Sequence, residues 1–436
     1  MSIEKISQAR AEIDKTSAYT TLVSFFDEGT FFEIDSFAKS GDNYAEAVTG
    51  YGMVDGLPVY AFAQNSDICG GAMSKAQAAK LKKVYDLALK TGAPIVGFYD
   101  SIGGKINEGN ALLDAYGTML NLSGNLSGIV PQISVILGNC IGTSALTAAN
   151  ADFIIMSKDA KLTLDVLGKN ADAKYNAQNG TVAIVADGKD DAIIQAKNLV
   201  TMLPSNNLSV APAVVGVDAS TSGDCILSTV LDADSFIKLY PEYGTNSRTA
   251  FARINGYVVG IVVTTGGQLD CSSANKIAKM VRFCDAFSIP VITVVNSTGF
   301  ESIKSAVKVS SAYAEATTAK IAIVSGTAVG SAYMAMAGSC ARTDLTIALE
   351  DAIISPVAVQ SAAIIMASEI MKVPVNKQFE VANEFAKSNL NAFNAAENGY
   401  IEDVVTITEL RDKLIIALDM LSSKRVSTLA KKHSTI

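Results

Sequence analysis

At 436 residues the chain is about three times the prior of roughly 150 residues per domain, so two large domains are expected. It is 49% hydrophobic and 18% charged with a mean hydropathy of +0.29, a balance that implies large cores or a large subunit interface and predicts an oligomer. A formal charge of −8 without a basic stripe argues against nucleic acid as a partner, and the single histidine, His433, three residues from the C-terminus, excludes Ser-His-Asp and Cys-His catalysis and most His-ligated metal sites, so no metal is expected.

The first thirty residues mix charges at Glu4, Arg10, Glu12, Asp14 and Lys15, without the basic-then-apolar order of a signal peptide, and a cytoplasmic location is expected. DGLPVYAFA from Asp55 reads as a turn and a buried strand, and recurs 200 positions later as NGYVVGIVV from Asn255. KLKKVYDLALKTGAPIVGFYDSIG from Lys80 reads as an amphipathic helix, a Pro turn, a buried strand and a Gly loop. It lines up with KIAKMVRFCDAFSIPVITVVNSTG from Lys276, with Pro94 falling on Pro290. Gly, Ser, Asn or Asp interrupts every apolar run, such as Ile129 to Leu137, short of the ~18 to 20 residues a membrane span requires. ISVILGNCIGTSAL from Ile133 then matches IAIVSGTAVGSAYM from Ile321. Three collinear pairs with drifting offsets indicate an internal duplication.

Strand, crossover helix, strand, Gly loop and helix is the pattern of a parallel or mixed sheet with covering helices, so each half is one α/β domain. The polar stretch from Leu203 to Ser222 reads as the connection, with a boundary near Val215 and domains 1–215 and 216–436. Glu409 to Lys424 reads as an amphipathic helix that packs on its domain. Cys69, Cys140, Cys225, Cys271, Cys284 and Cys340 are scattered with no C-x-x-C pair, and buried reduced thiols are expected.

In each half a second strand runs through a small-residue turn into an Ala-rich helix, at Gly138 to Ala149 and at Ser325 to Ala337. Such helix starts present unpaired N–H groups that can hold an oxyanion, although small residues there more often serve close helix packing. Neighbouring parallel strands deliver the loop DSIGGKINEG, Asp100 to Gly109, to the same sheet edge, adding a second set of amides. Two donors converging about 3 Å from one point would polarise a thioester oxygen and stabilise an enolate. The C-terminal copy offers Thr298, Gly299 and Phe300 beside Gly330, Ser331 and Ala332, and two such holes suggest two carbonyl-bearing substrates.

These strings resemble the carboxyltransferase subunits of biotin-dependent acyl-CoA carboxylases and decarboxylases, of the propionyl-CoA carboxylase beta and methylmalonyl-CoA decarboxylase alpha type, members of the crotonase superfamily. DSIGGKINEG resembles the family's DSGGARIQEG, and SGIVPQISVILGNCIGTSA at 127–145 resembles SGVIPQISVIMGPCAGGAV. Further matches are FFEID at 31–35, AVTGYGMVDGLPVYAF at 47–62, LPSNN at 203–207, LDCSSANKIAKMVRFCDAFSIPVITVVNSTGF at 269–300 and NAAENGYIEDVV at 394–405. The resemblance covers most of the chain and implies two tandem crotonase-like (ClpP/crotonase) α/β domains. It implies a carboxyl group moving between N1′ of biotin, held on a separate biotin carrier protein, and the α-carbon of a coenzyme A thioester. By position it puts Gly103, Gly104, Gly142 and Thr143 at the thioester oxygen, and Gly299, Phe300, Gly330, Ser331 and Ala332 at biotin. In the family the N-terminal half of one subunit meets the C-terminal half of another, which implies at least a homodimer; the family's range extends to a hexamer and to a membrane decarboxylase complex, with no transmembrane segment of this chain's own.

The chain also departs from the family pattern. The Gly-Gly-Ala turns become Gly142-Thr143-Ser144 and Gly330-Ser331-Ala332, and positive φ at Thr143 would be strained by ~1 to 3 kcal/mol. Gly326-Thr327 replaces Arg-Lys, Ser297-Thr298-Gly299-Phe300-Glu301-Ser302 replaces Pro-Gly-Phe-Leu-Pro-Gly, and LTLDVLGKN at 162–170 replaces Phe-Ile-Thr-Gly-Pro. Two alternatives stay open: a non-catalytic scaffold subunit, and a crotonase-type hydratase or isomerase using Glu108 or Glu315 as acid/base. EIMKVP at 369–374 is only faintly like a biotinylation site, and biotin is expected to arrive on another protein.

Overall fold

The computed structural model describes residues 3–165, 168, 170–219, 226–366 and 372–426, which form two units, Met1–Pro212 and Ala213–Ile436. His433, Cys225 and Glu369 to Met371 of the EIMKVP segment lie outside the described residues.

Unit 1 begins its sheet with a hairpin. Asp55-Gly56, at φ 51° and 73°, joins β1 (Ala47–Val54) to β2 (Leu57–Gln64), the conformation that matches a two-residue turn to strand twist. Helix α1 (Lys75–Thr91) follows; Ser74 caps its first turn by accepting the Gln77 N–H, and Gly92 at φ 65° ends it. Its stripe of Leu81, Val84, Tyr85 and Ala88 is buried in one cluster with Phe62, Ile95 and Tyr99 of the sheet. Then come β3 (Ile95–Ser101), α2 (Ala111–Leu126), β4 (Gln132–Ile141), α3 (Thr143–Ala149), β5 (Phe153–Ser157), β6 (Lys161–Thr163), β7 (Ile184–Ala186) and α4 (Lys189–Val200). The eight-stranded sheet runs Phe32–Glu33, β1, β2, β3, β4, β5, β7, with β6 on the far end of β4. Phe32–Glu33, β1 and β2 are linked by antiparallel pairs and the rest are parallel, as helical crossovers demand.

Unit 2 repeats this order. Asn255-Gly256, at φ 49° and 80°, joins β8 (Ser247–Ile254) to β9 (Tyr257–Thr264). Next are α5 (Cys271–Ala286), β10 (Val291–Ser297), α6 (Ile303–Glu315), β11 (Lys320–Val329), α7 (Ser331–Met336), β12 (Leu345–Leu349), β13 (Ile353–Ser355), α8 (Val359–Met366), α9 (Val375–Asn389), β14 (Asp403–Val405) and α10 (Ile407–Leu421). Its eight strands run Ile237–Leu239, β8, β9, β10, β11, β12, β14, with β13 on the end of β11. The duplication is therefore present in topology as well as in sequence. The amphipathic tail helix is α10, started by a capping box of Thr406 and Glu409, and its Leu410, Leu414 and Leu418 join Ile254, Ile261, Ile292 and Ile323 in the core.

The copies also share a buried lysine. Lys80 on α1 donates to the carbonyl of Ala47 at the start of β1 (2.8 Å), and Lys276 on α5 donates to Ser247 at the start of β8 (2.7 Å) and to Tyr243 (2.6 Å). Burial lowers both pKa values, that of Lys276 to about 8. The expectation of buried thiols holds for Cys140 and Cys284 and fails for Cys69, Cys271 and Cys340, which are exposed; all five are free. These three lie at or near element ends, where small half-polar side chains need no core. Among the described residues no helix is long and apolar enough to cross a membrane, and no His/Cys/Asp/Glu cluster could hold a metal ion.

Because Lys276 binds its proton less tightly folded (about 8) than at its ordinary value of 10.5, the unfolded chain holds more protons between those pH values, and stability from this residue rises with pH in that window. A Lys276→Met variant should lack that rise. Urea midpoints at pH 7.5 and 9.5 should move in favour of wild type relative to the variant as pH increases.

Candidate active site

Two strand ends and one bulge build each candidate site. Ser101 of β3 pairs with Cys140 of β4, so two residues further on Gly103 and Gly142 leave the sheet at one edge. In unit 2 Ser297 pairs with Ala328, and Gly299 and Gly330 follow at the same spacing. The loops meet the helix starts directly: a Cβ on Gly299 would lie 3.4 Å from Ser331 Oγ, and one on Gly103 would lie 3.7 Å from the Ile141 carbonyl.

Both loops are held by a serine. Ser101 Oγ accepts the Gly103 N–H (3.2 Å) and donates to the Gly103 carbonyl (3.1 Å); Ser297 and Gly299 repeat both bonds at the same distances. Gly103 at φ 120° and Gly299 at φ 130° occupy backbone space that a side chain rarely enters. Gly142 (φ 67°, ψ −136°) and Gly330 (φ 46°, ψ −111°) cap α3 and α7, and their N–H groups donate to Thr163 and Ser355 at 2.8 Å each.

This changes which amides are available. The N–H groups of Gly103, Gly142, Gly299 and Gly330 are already engaged inside the protein, so these four shape the turns and donate to nothing outside. The N–H groups of Gly104, Thr143 and Ser331 have no hydrogen-bond partner among the described residues. Gly104 bridges Met73 with its N–H turned away, since Met73 pairs instead with the Gly103 carbonyl and the Lys105 N–H. Phe300 takes the same place opposite Leu269, which accepts from Glu301. Ala332 is fully buried, so its side chain packs and its surface is unavailable to a ligand.

The feared strain at Thr143 does not arise. The positive φ falls on Gly142, while Thr143 is the first residue of α3 with helical geometry; Gly330 and Ser331 divide the work in the same way. Glu108, an alternative acid/base, uses Oε2 to accept the Lys75 N–H at 2.7 Å at the start of α1, and Glu315 closes α6. The thiol beneath the unit 1 turn is inert as well: burial pushes Cys140 up to about 12, and its Sγ faces Ser144 Oγ at 3.8 Å.

Sequence reading missed the anchor of the first loop. Lys105, next to Gly104, donates to Ser40 Oγ (2.8 Å) and to Glu46 Oε1 (3.0 Å), and that bond holds Lys105 above its usual pKa. Glu46 is fully buried, and its other oxygen accepts from Ser74, the cap of α1. One carboxylate thus ties the loop to the helix cap. Cavities of 510 Å³ beside α3 (Ala145, Leu146, Leu162, Thr163, Tyr175, Asn176) and 390 Å³ beside α7 (Gly330, Tyr333, Met334, Pro356, Leu390, Asn394) lie next to the turns. Within the LTLDVLGKN segment, Val166, Leu167 and Lys169 lie outside the described residues.

Each of the two tandem α/β units carries one such pair of backbone-amide turns at its sheet edge, a geometry able to accept a carbonyl oxygen. Comparison with known proteins gives the family. The model of the carboxyl transferase domain matches residues 15–436. Methylmalonyl-CoA decarboxylase subunit alpha of Veillonella parvula is 34% identical over 97% of this chain and 93% of its own length. The propionyl-CoA carboxylase beta chain of Saccharopolyspora erythraea is 31% identical over 97% and 90%. Among solved structures, the hexameric transcarboxylase 12S core with hydrolysed methylmalonyl-coenzyme A bound superposes with a TM-score of 0.89 at 30% identity, covering 99% of this chain and 94% of that one. The chain belongs to the carboxyl transferase family, as a carboxyltransferase of the biotin-dependent acyl-CoA carboxylase and decarboxylase type with the crotonase-like fold.

Removing the positive end of the anchor leaves Glu46 buried and unpaired. Lys105→Met should therefore cost about 3 kcal/mol, and Glu46→Gln added to it should restore most of the loss, read as thermal midpoints of the three proteins.

Proposed function

We propose that unit 1 holds the thioester oxygen of the acyl-CoA with the N–H groups of Gly104 and Thr143, and that unit 2 holds the ureido oxygen of biotin with those of Phe300 and Ser331. The observation that carries this reading is the repeated turn, in which an engaged glycine amide is followed by one without a partner. Gly103, Gly142, Gly299 and Gly330 set the backbone that aims those donors, and Ala332 packs α7 beneath them.

Biotin, when bound, supplies the N1′ that exchanges a carboxyl group with the substrate. The cavity beside Gly330 suits such a group, since Asn394 gives it a polar wall and Met334, Pro356 and Leu390 an apolar one. The task of this chain's residues is electrostatic. When a carboxyl group leaves or joins the α-carbon of the thioester, negative charge develops on the thioester oxygen, and two fixed N–H dipoles there stabilise the enolate without reorganising. Nothing in that role requires an imidazole, in keeping with a chain whose one histidine is His433.

The relatives named for methylmalonyl-CoA and propionyl-CoA favour a short acyl group, and we place the methylmalonyl-CoA and propionyl-CoA pair first among substrates. A separate biotin carrier protein and an assembly of at least two copies complete the proposal, supported by relatives that are subunits and by a hexameric structural relative. We further propose a cytoplasmic protein.

Purified chain mixed with methylmalonyl-CoA and free biotin should release propionyl-CoA over time, measured by chromatography; absence of turnover with CoA binding intact would sink this reading. Thr143→Pro gives a sharper test. Proline suits the first position of a helix and removes the N–H together with the threonine side chain, so against a Thr143→Ala control kcat should fall by about a hundredfold to a thousandfold with the fold unchanged.

A further inference from the structure

Each central strand pair breaks register at the same place. Between β3 and β4, Tyr99 pairs with Ile136 and then Ser101 with Cys140; between β10 and β11, Val295 pairs with Val324 and then Ser297 with Ala328. One residue of one strand thus faces three of the other, a bulge that takes backbone N–H groups out of the ladder.

One side chain spans each bulge. Asp100 Oδ1 accepts the Asn139 N–H at 3.1 Å, and Asn296 Oδ1 accepts the Thr327 N–H at 3.1 Å. The residues before those donors, Gly138 and Gly326, press on the same groups: a Cβ would lie 2.2 Å from Asp100 Oδ1 or 2.7 Å from Asn296 Oδ1. Only glycine leaves room, and the side chain at 100 or 296 is correspondingly confined. Charge is not what the position needs, since an amide serves in unit 2. The remaining oxygen, Asp100 Oδ2, lies 3.8 Å from an exposed Lys189, a pair that contributes little.

These bonds sit where the donors of each hole are aimed. Asp100 and Asn139 lie three positions before Gly103 and Gly142, and Asn296 and Thr327 lie three positions before Gly299 and Gly330. We propose that Asp100 and Asn296 are positioning residues for carboxyl transfer, each stapling the two segments that carry one hole's amides and so fixing the spacing between them. The proposal rests on the assignment of Gly104 and Thr143 to the thioester oxygen and of Phe300 and Ser331 to biotin.

The test is steady-state kinetics with methylmalonyl-CoA and free biotin on the full chain, with oligomeric state and thermal midpoint checked for each variant. Asp100→Asn keeps the acceptor and should stay within about twofold of wild type, whereas Asp100→Leu keeps the branched skeleton, with bulkier methyls in place of the oxygens, and lacks the acceptor, and should lose kcat by about a hundredfold while KM for methylmalonyl-CoA changes little. Asn296→Asp and Asn296→Leu should divide in the same way. Should Asp100→Leu fail to fold, Asp100→Ala with Gly138→Ala puts a methyl where the carboxylate was and should fold yet remain slow. Wild-type kcat in a folded Asp100→Leu or in the double variant, or a loss in Asp100→Asn as large as in Asp100→Leu, overturns the staple. An inactive wild-type chain overturns the site assignment instead, and this inference with it, before any variant is compared.

Discussion

Hydrogen-bond register between the two central parallel strands of each unit is the constraint on which everything at the candidate site depends. A backbone N–H cannot be re-aimed by a rotamer change, so the direction of the Gly104 and Thr143 amides is set by where β3 and β4 end relative to one another. That offset comes from Ser101 facing Cys140 across a bulge. Ser101 then holds the loop and Gly142 turns the chain into α3, each through bonds that engage its own polar groups and leave the next amide open. Burial of the strands on both faces keeps the edge rigid, since one step of slip would move every side chain of β4 to the wrong side.

Duplication has kept this backbone device and let the supporting side chains change. Ser101 and Ser297 are the same residue making the same two bonds, and Asp100 and Asn296 differ only in an atom that does not bear on the accepted hydrogen bond. Elsewhere the copies part. Glu46 and Lys105 clamp the first loop, while the corresponding positions 200 and 196 residues later are Asn246 and Glu301, and Asn246 Nδ2 reaches the Gln268 carbonyl instead. A buried ion pair is a costly way to secure a loop unless both partners are fully bonded, and Glu46 meets that condition through Ser74 as well as Lys105. The two loops thus keep one geometry on different anchors.

Donors made of backbone also explain the composition. With one histidine, no metal-ligand cluster among the described residues and a buried Cys140 thiol raised to about 12, side-chain acid–base chemistry has little foothold near the unit 1 turn. Glu108 is engaged with the start of α1. Amide dipoles need no titration, only placement, and placement is what two apolar cores supply.

Much of this was legible in the sequence because it repeats with a period. The turns at Asp55-Gly56 and Asn255-Gly256 with the buried strands after them, the amphipathic helix ahead of each Pro turn, the tail helix and the paired Gly turns follow from residue type and spacing, and the strings DSIGGKINEG and SGIVPQISVILGNCIGTSA carried the family. Tertiary structure decided which amide at each turn is free. Gly103 and Gly104 look alike as letters, and only the Ser101 hydroxyl and the Met73 bridge distinguish an engaged N–H from an open one. The same holds for Gly142 against Thr143, where the carbonyl that engages the glycine belongs to Thr163, twenty-one residues away in sequence. Local propensity follows from neighbours along the chain, whereas hydrogen-bond occupancy is a property of segments that meet only on folding, and for that reason the turns could be read from the sequence and their donors could not.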